Sequence, residues 1–226
     1  MIRSYTVIDL QARCAALGHN PGPIDGDRGR RTNLAARAAM TERQVSSEAL
    51  LFHTSGLHRI YLHWTAGARG VIHLEKKAYN GLVDHDCKRH LGKWSFEDQA
   101  SYRAGVRGAS GTLNSNTGCI QLAADAMAGA VEVPFNPGSA PMTWEQVDEL
   151  CLWSAELSLA FDIPVSRHSI LSHAEIQSTL GIRQRFKWDI CWLPDMSRPG
   201  DPIECGDRLR DIIADKVEVL AFKQAA

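Results

Sequence analysis

The stretch SHAEIQSTLGIRQRFKWD, residues 172–189, carries the residues around which we expect the chain to fold. His173 stands near its start, and the triplet Lys187-Trp188-Asp189 ends it. In HRIYLHWTAG, residues 58–67, a second histidine, His63, ends an alternating apolar run that is typical of a buried strand. Two histidines and a carboxylate suit a catalytic zinc, which keeps a fourth position open for water. A lysine two residues before the carboxylate supplies a cation where an oxyanion would form.

Composition and charge are those of an ordinary globular protein. The chain has 226 residues, 44% of them apolar and 23% charged, so it can bury one large core or two unequal ones. Its formal net charge is −1, whereas non-specific nucleic-acid binding needs a dense positive field. We therefore expect no nucleic-acid partner.

Three features indicate the compartment in which the chain is made. The N-terminus MIRSYTVIDLQARCAAL has no apolar core of a secretory signal. No run approaches the ~18 apolar residues of a membrane span. None of the six cysteines forms a CxxC pair and several lie in apolar runs, so buried free thiols are the favoured interpretation. These features predict cytoplasmic synthesis without a signal peptide and no membrane span.

The first quarter of the chain predicts a small all-α module. Residues 5–20 have apolar side chains at intervals of three and four, which indicates a helix, and a Gly- and Pro-rich loop follows at 20–30. A second helix is predicted from Thr32, and a third short one from a cap at Ser46 or Ser47. We assign residues 1–55 to this three-helix module.

Residues 56–226 alternate apolar strand patterns with helical ones, which predicts an α/β fold with a mixed central sheet flanked by helices. Thr143 begins a capping box, Thr-Trp-Glu-Gln, and so predicts a helix start. A closing helix is predicted at 206–222, and a long surface loop at 88–115. The predicted strands are 58–64, 78–87, 116–124 and 165–173.

The segment LQARCAALGHNPGPIDGDRGRRTNLAARAA resembles the three-helix peptidoglycan-binding module of cell-wall hydrolases. The resemblance implies that residues 1–55 bind bacterial peptidoglycan. The alternative is a plain helical hairpin that packs on the larger domain. The residues that match the family pattern are Leu10, Gln11, Leu17, Gly18, Pro21, Gly22, Asp25, Gly26, Gly29 and Thr32.

The strings HWTAG, YNGLVDHD, NTGCIQLA, SHAEI and KWD follow one another in the order of the type 2 zinc-dependent N-acetylmuramoyl-L-alanine amidases. The chain resembles this family over about residues 57–195, most closely its phage and prophage endolysins. The resemblance implies Zn²⁺ held by His63, His173 and Asp189. Cys191 is a competing third ligand, since some members use cysteine there. Asp189 is preferred because the catalytic lysine of the family stands two residues before the ligand, where this chain has Lys187.

The resemblance also implies roles around the metal. Tyr79 matches a tyrosine that phage-type enzymes place beside it, although a half-buried structural aromatic is the alternative. Gln121 stands where recycling-type members carry a glutamate base, and Glu175 is a carboxylate alternative whose structural role at a helix start is favoured. Substrate binding is predicted, against purely structural roles, for Trp64, Asn116 and Thr117.

Together these patterns predict a monomeric peptidoglycan hydrolase that uses a zinc-activated water to cleave the bond between N-acetylmuramic acid and L-alanine. It would be an endolysin, made in the host cytoplasm and released to the wall through a holin-type pore. The alternatives are a non-catalytic peptidoglycan-recognition protein and a zinc peptidase that cuts within the stem peptide.

Overall fold

The described residues form a five-stranded sheet, and the candidate site lies at the carboxyl ends of its strands. The computed structural model describes residues 5–43, 45–52 and 56–225. The strands are β1 (Arg59–Trp64), β2 (Gly81–Val83), β3 (Arg89–Leu91), β4 (Cys119–Ala124) and β5 (Ile170–Ser172). The helices are α1 (Val7–Ala16), α2 (Arg30–Glu42), α3 (His73–Ala78), α4 (Trp144–Phe161), α5 (His173–Leu180) and α6 (Pro202–Ala225), with 3-10 turns at Glu48–Leu51 and Glu97–Ser101.

The strand order is β3-β2-β4-β1-β5, and β3 runs antiparallel to β2 while the other neighbours are parallel. Every residue of the two central strands β1 and β4 is buried, as expected for parallel strands covered on both faces. This arrangement confirms the predicted α/β fold with a mixed central sheet flanked by helices.

Helices α4 and α6 pack with the sheet in the main apolar core. The predicted capping box at Thr143 is confirmed, since its hydroxyl accepts from the Gln146 amide and the Gln146 side chain accepts from the Thr143 amide. The close approach of α4 depends on Gly81, because a Cβ there would lie 2.5 Å from Trp153 and 2.8 Å from Leu122.

A second apolar cluster contains β-strand side chains and residues of α5, which are Tyr61, Cys119, Leu171, Ile176 and Leu180. Ile8 of α1 packs against the same cluster. The N-terminal helix therefore contributes directly to the packing of the sheet.

The N-terminal segment has its own apolar cluster, made of Leu10, Cys14, Ala35, Ala36, Ala39 and Leu51. Buried Gln11 organises the loop before α2: its side-chain nitrogen donates to the Pro23 and Asp27 carbonyls, and its oxygen accepts from the Gly26 amide. Gly26 has φ +84°, a conformation that favours glycine. Several residues that match the pattern of the peptidoglycan-binding module thus have a structural task within this loop.

Ion pairs of Asp9 and Arg13 join α1 to other parts of the described chain. Asp9 pairs with Arg59 of β1, and both side chains are about 5% exposed. Arg13 pairs with Asp162, beyond the end of α4, at 2.8 Å. The predicted division into residues 1–55 and 56–226 remains a prediction, and residues 53–55 at the boundary lie outside the described part of the chain.

Several predicted elements differ from the structure. The strand predicted at 78–87 is only β2, because residues 73–78 form α3, and the predicted surface loop 88–115 contains β3 and a 3-10 turn. The strand predicted at 165–173 is only β5, and the third helix of the small module is a four-residue 3-10 turn. Apolar alternation marks burial but does not mark where hydrogen bonding to a neighbouring strand stops.

The cysteines and the helices of the described residues bear on two expectations from the sequence. No disulfide joins the six cysteines, all of which lie in the described residues, and five of them are buried. None of the helices in the described ranges has the length and apolar character needed to cross a bilayer.

Candidate metal centre

The side chains of His63, His173 and Asp189 meet in the folded chain, and all three are buried. The Asp189 Oδ2 atom lies 3.0 Å from Nδ1 of His63 and 3.1 Å from Nδ1 of His173. One ligand atom from each residue lies within 4.8 Å of the others, and no second group of this kind occurs among the residues that the structure describes. The structure thus brings together the three residues that the sequence predicted as ligands.

Neighbouring strands position the two histidines. His63 is the penultimate residue of β1, and β5 pairs with β1 in parallel so that Leu62 lies opposite Ser172. His173 follows β5 at once and begins α5 rather than ending a strand. The carboxyl ends of parallel strands meet at one edge of a sheet, so the two imidazoles meet there. The backbone carbonyl of Asp189 accepts from the Ala174 amide at 2.6 Å, which holds the third residue beside α5.

Burial and neighbouring charge have opposite effects on the pKa of Asp189. Burial alone would raise the pKa of Asp189, but attraction to the positive charge of protonated His173 and hydrogen bonds donated by His173 and His63 outweigh it and lower the pKa to about 2 when no metal is bound. Burial lowers the pKa of His63 below its usual value and favours the neutral imidazole. A metal ion would take the place of those imidazole protons and would be held by an ionised carboxylate and neutral imidazoles.

The donor set fits Zn²⁺. Two imidazole nitrogens and one carboxylate oxygen are ligands that zinc accepts, at bond lengths of about 2.0 Å. A tetrahedron with such bonds has edges of about 3.3 Å, close to the observed 3.0 and 3.1 Å between Asp189 and the two nitrogens. Three protein ligands also leave a fourth position for water or substrate, as catalytic zinc sites do.

Cys191, the competing third ligand, is not part of the group of converging donors in the described residues. Geometry therefore favours Asp189 over Cys191.

Two glutamines contact the outer side of the histidine ligands. The Oε1 atom of Gln121 lies 2.9 Å from Nε2 of His63, and that of Gln184 lies 3.0 Å from Nε2 of His173. Gln121, at the position where the resemblance implies a glutamate base in recycling-type members, instead faces the outer nitrogen of His63, a candidate ligand. The sequence analysis missed Gln184, whose only signal is its place in the stretch between His173 and Asp189.

Tyr79 packs on the triad, whereas Lys187 lies in an exposed segment. The Tyr79 ring packs on His63 with 5.2 Å between ring centroids, and it follows the C-terminus of α3 rather than lying in a strand. Burial, with smaller effects of Asp189 and Glu75, raises the pKa of Tyr79, so its phenol keeps its proton. Lys187 is exposed in the segment between the second and third ligands and lines an open cavity with Gln184.

Glu175, the alternative base, has a structural role. It is fully buried, its carboxylate accepts from the Ser172 amide at 2.7 Å, and Arg210 of α6 pairs with it at 2.7 Å. Gly206 permits this approach of α6, because a Cβ there would lie about 2 Å from the carboxylate. Glu175 thus links the start of α5, and so His173, to the C-terminal helix.

The three predicted substrate-binding residues lie in structural positions. Trp64 is 5% exposed and packs edge-to-face on Trp188, which leaves little surface for a sugar ring. The buried Asn116 side chain bonds to Thr112.

Thr117 is exposed and precedes β4, whereas His63 lies opposite Ala123 near the other end of that strand. Thr117 lies in the turn before β4, and the part of β4 from Cys119 to Ala123 alone spans about 13 Å. This separation argues against contact between Thr117 and substrate atoms at the metal. A residue close to the site in the order of the motifs need not be close to it in the folded sheet.

Comparisons with known proteins add one distant likeness. No protein-family model matches the sequence, and no curated protein sequence does. A crystal structure of the hydrolase AmiA from Staphylococcus aureus, in complex with its ligand, is similar with a TM-score of 0.45 and 10% identity. The likeness covers 84% of this chain and 93% of that chain. The TM-score and the sequence identity are too low for the likeness to indicate a function.

Proposed function

We propose that this chain is a zinc-dependent peptidoglycan hydrolase, an N-acetylmuramoyl-L-alanine amidase. The observation that carries the proposal is the buried group of His63, His173 and Asp189, whose ligand atoms converge at the edge of the sheet. The substrate and the bond come from the resemblance of the motifs HWTAG to KWD, which lie in the order of that amidase family.

His63, His173 and Asp189 would hold the ion. When bound, zinc acts as a Lewis acid on a carbonyl oxygen and lowers the pKa of water toward ~7. Ionised Asp189 offsets part of the charge of the ion inside a buried site.

Tyr79 and Lys187 supply hydrogen-bond donors and charge around the reacting carbonyl. The phenol of Tyr79 stays protonated at neutral pH, so it can donate to a developing oxyanion but does not act as a base. The Lys187 ammonium is the second candidate to stabilise that oxyanion, and removing such a donor typically costs on the order of 10²–10³ in rate. The carboxylate of Glu175, the alternative general base, is paired with Arg210 and is not proposed to act as a base.

The wider biological role follows from the resemblance. We propose that residues 1–55 bind the wall, and that the monomeric chain is a phage or prophage endolysin that a holin-type pore releases from the host cytoplasm. The resemblance of the catalytic motifs to phage and prophage enzymes supports this role.

Digestion of purified sacculi tests the activity. With zinc, the digest should contain free lactyl groups on muramic acid and new L-alanine N-termini, detected by mass spectrometry, and a chelator should abolish both. His173→Ala should remove the activity and His85→Ala, in the turn between β2 and β3, should not. Lys187→Met should slow turnover on the order of 10²–10³ with zinc still bound.

The products distinguish the alternatives. Cleavage within the stem peptide, with the muramoyl–alanine bond intact, would identify a zinc peptidase. Wall binding without any products from the zinc-loaded protein would identify a recognition protein. Either result would overturn the amidase proposal.

A further inference from the structure

We propose that Gln121 and Gln184 are positioning residues that hold both histidine ligands with the Nδ1 lone pair turned toward the metal. Neither glutamine belongs to the ligand set, and each contacts the outer nitrogen of one ligand. The inference rests on the proposed function only in that it assumes a metal ion at the triad.

The orientation of the Gln184 amide is fixed by main-chain groups. Its Oε1 accepts from the Leu113 amide at 2.9 Å, and its Nε2 donates to the Leu113 carbonyl at 2.7 Å. A backbone N–H only donates and a backbone carbonyl only accepts, so the side-chain amide cannot be reversed. Oε1 is therefore the atom that faces His173 Nε2, and that nitrogen must carry the hydrogen. A neutral imidazole, the form that binds a metal ion, has one N–H, so in that form Nδ1 of His173 carries a lone pair.

Gln121 imposes the same state on His63. Its Nε2 donates to the Cys119 carbonyl at 3.2 Å, which leaves Oε1 to accept from His63 Nε2 at 2.9 Å. Gln121 is fully buried and Gln184 is 2% exposed, so water has little access to replace either contact. Both histidines therefore present Nδ1 as an acceptor.

This arrangement creates a demand for a cation. With both outer nitrogens protonated, two Nδ1 lone pairs face the Asp189 carboxylate oxygen at 3.0 and 3.1 Å. Three acceptors that converge in a buried space repel one another, and a positive ion between them removes the repulsion. The two glutamines thus organise the triad for metal binding.

One segment, residues 111–116, connects both glutamines. Leu113 holds Gln184 through its backbone, and the Asn116 side chain lies 3.4 Å from Gln121 Nε2. At the start of the segment, a Cβ on Gly111 would lie 2.6 Å from Gln121 Oε1 and 3.2 Å from His63 Nε2. Residues 111–115 of this segment, predicted as the end of a surface loop, therefore lie against the outer side of the metal centre.

Zinc affinity of the full chain, measured by competition with a chromophoric chelator, tests the proposal. Gln121→Met and Gln184→Met keep side-chain length but remove the acceptor, and each should weaken zinc binding about 10- to 100-fold. Gln146→Met is the matched control, because Gln146 is also a fully buried glutamine but donates to the Val83 and Asp125 carbonyls and not to a ligand. Its zinc affinity should equal that of the wild type.

Gly111→Ala provides a second variant that does not depend on changing either glutamine. It should displace Gln121 and weaken zinc binding, whereas Gly29→Ala, with nothing within 4 Å of the added methyl, should not. If Gly111→Ala and both glutamine variants bind zinc as tightly as the wild type, the proposal is wrong and the hydrolase proposal is unaffected.

Nitrogen NMR of the histidines in the metal-free full chain, recorded at alkaline pH where imidazole rings are neutral, reads the tautomers directly. His63 and His173 should both carry the hydrogen on Nε2, and each Gln→Met variant should release only its own histidine. Hydrogens on Nδ1 in the wild type would overturn the proposal. Correct tautomers in a wild-type chain that binds no zinc would instead overturn the proposed function and leave the positioning role intact.

Discussion

Asp9→Asn should destabilise the whole chain, because it removes a buried charge that pairs with Arg59 across α1 and β1. Burial tends to raise the pKa of Asp9, but Arg59 and then His58 outweigh it and lower the pKa from 3.8 to about 2. A shift of this size corresponds to about 2 kcal/mol at neutral pH. The unpaired Arg59 that remains adds to the loss, so about 3–5 kcal/mol in total is expected at pH 7.

The pH dependence has a definite sign. The folded-state pKa is depressed, so the stabilisation is fully present above pH 3.8 and is lost as the pH falls toward 2. Between pH 7 and pH 3 the difference between wild type and Asp9→Asn should therefore shrink by about 1 kcal/mol.

Urea unfolding followed by tryptophan fluorescence at the two pH values measures both quantities. Asp162→Asn is the control, since Asp162 is 54% exposed and its pair with Arg13 should contribute less than about 1 kcal/mol. A loss below about 0.5 kcal/mol for Asp9→Asn at pH 7, or a difference independent of pH, would refute the reasoning. Two separate unfolding transitions, with only the first affected, would show that residues 1–55 fold independently of the sheet.

Three further predictions concern the site. Asp189→Ala should abolish zinc binding, measured by metal analysis, while Cys191→Ser should retain it, and the reverse result would transfer the ligand role to Cys191. Arg210→Met should cost about 3–5 kcal/mol in urea unfolding at pH 7, because Glu175 is left buried and unpaired. That loss should diminish as the pH falls toward 4.5 and Glu175 becomes protonated; an unchanged loss would contradict the ion-pair account. Tyr79→Phe should lower turnover on sacculi without changing zinc affinity, and full activity would exclude a catalytic phenol.

Local patterns were sufficient to predict the fold class and much of the secondary structure. The box at Thr143 predicted the start of α4 because its hydrogen bonds join residues three positions apart, which the order of residues specifies directly. The motif order predicted which three side chains meet at the candidate metal centre. Element ends were predicted less well: Tyr79 follows a helix, and His173 begins one.

The sequence by itself determined the chemistry available at the site: two imidazoles, a carboxylate, a nearby lysine and a glutamine in place of a glutamate. Only the tertiary structure decided how these groups are used. Gln184 bonds to Leu113, 71 residues away, and Glu175 pairs with Arg210, 35 residues away. Such contacts depend on where the sheet brings distant segments together, because a hydrogen bond needs a partner within about 3 Å in space and sets no limit on separation along the chain.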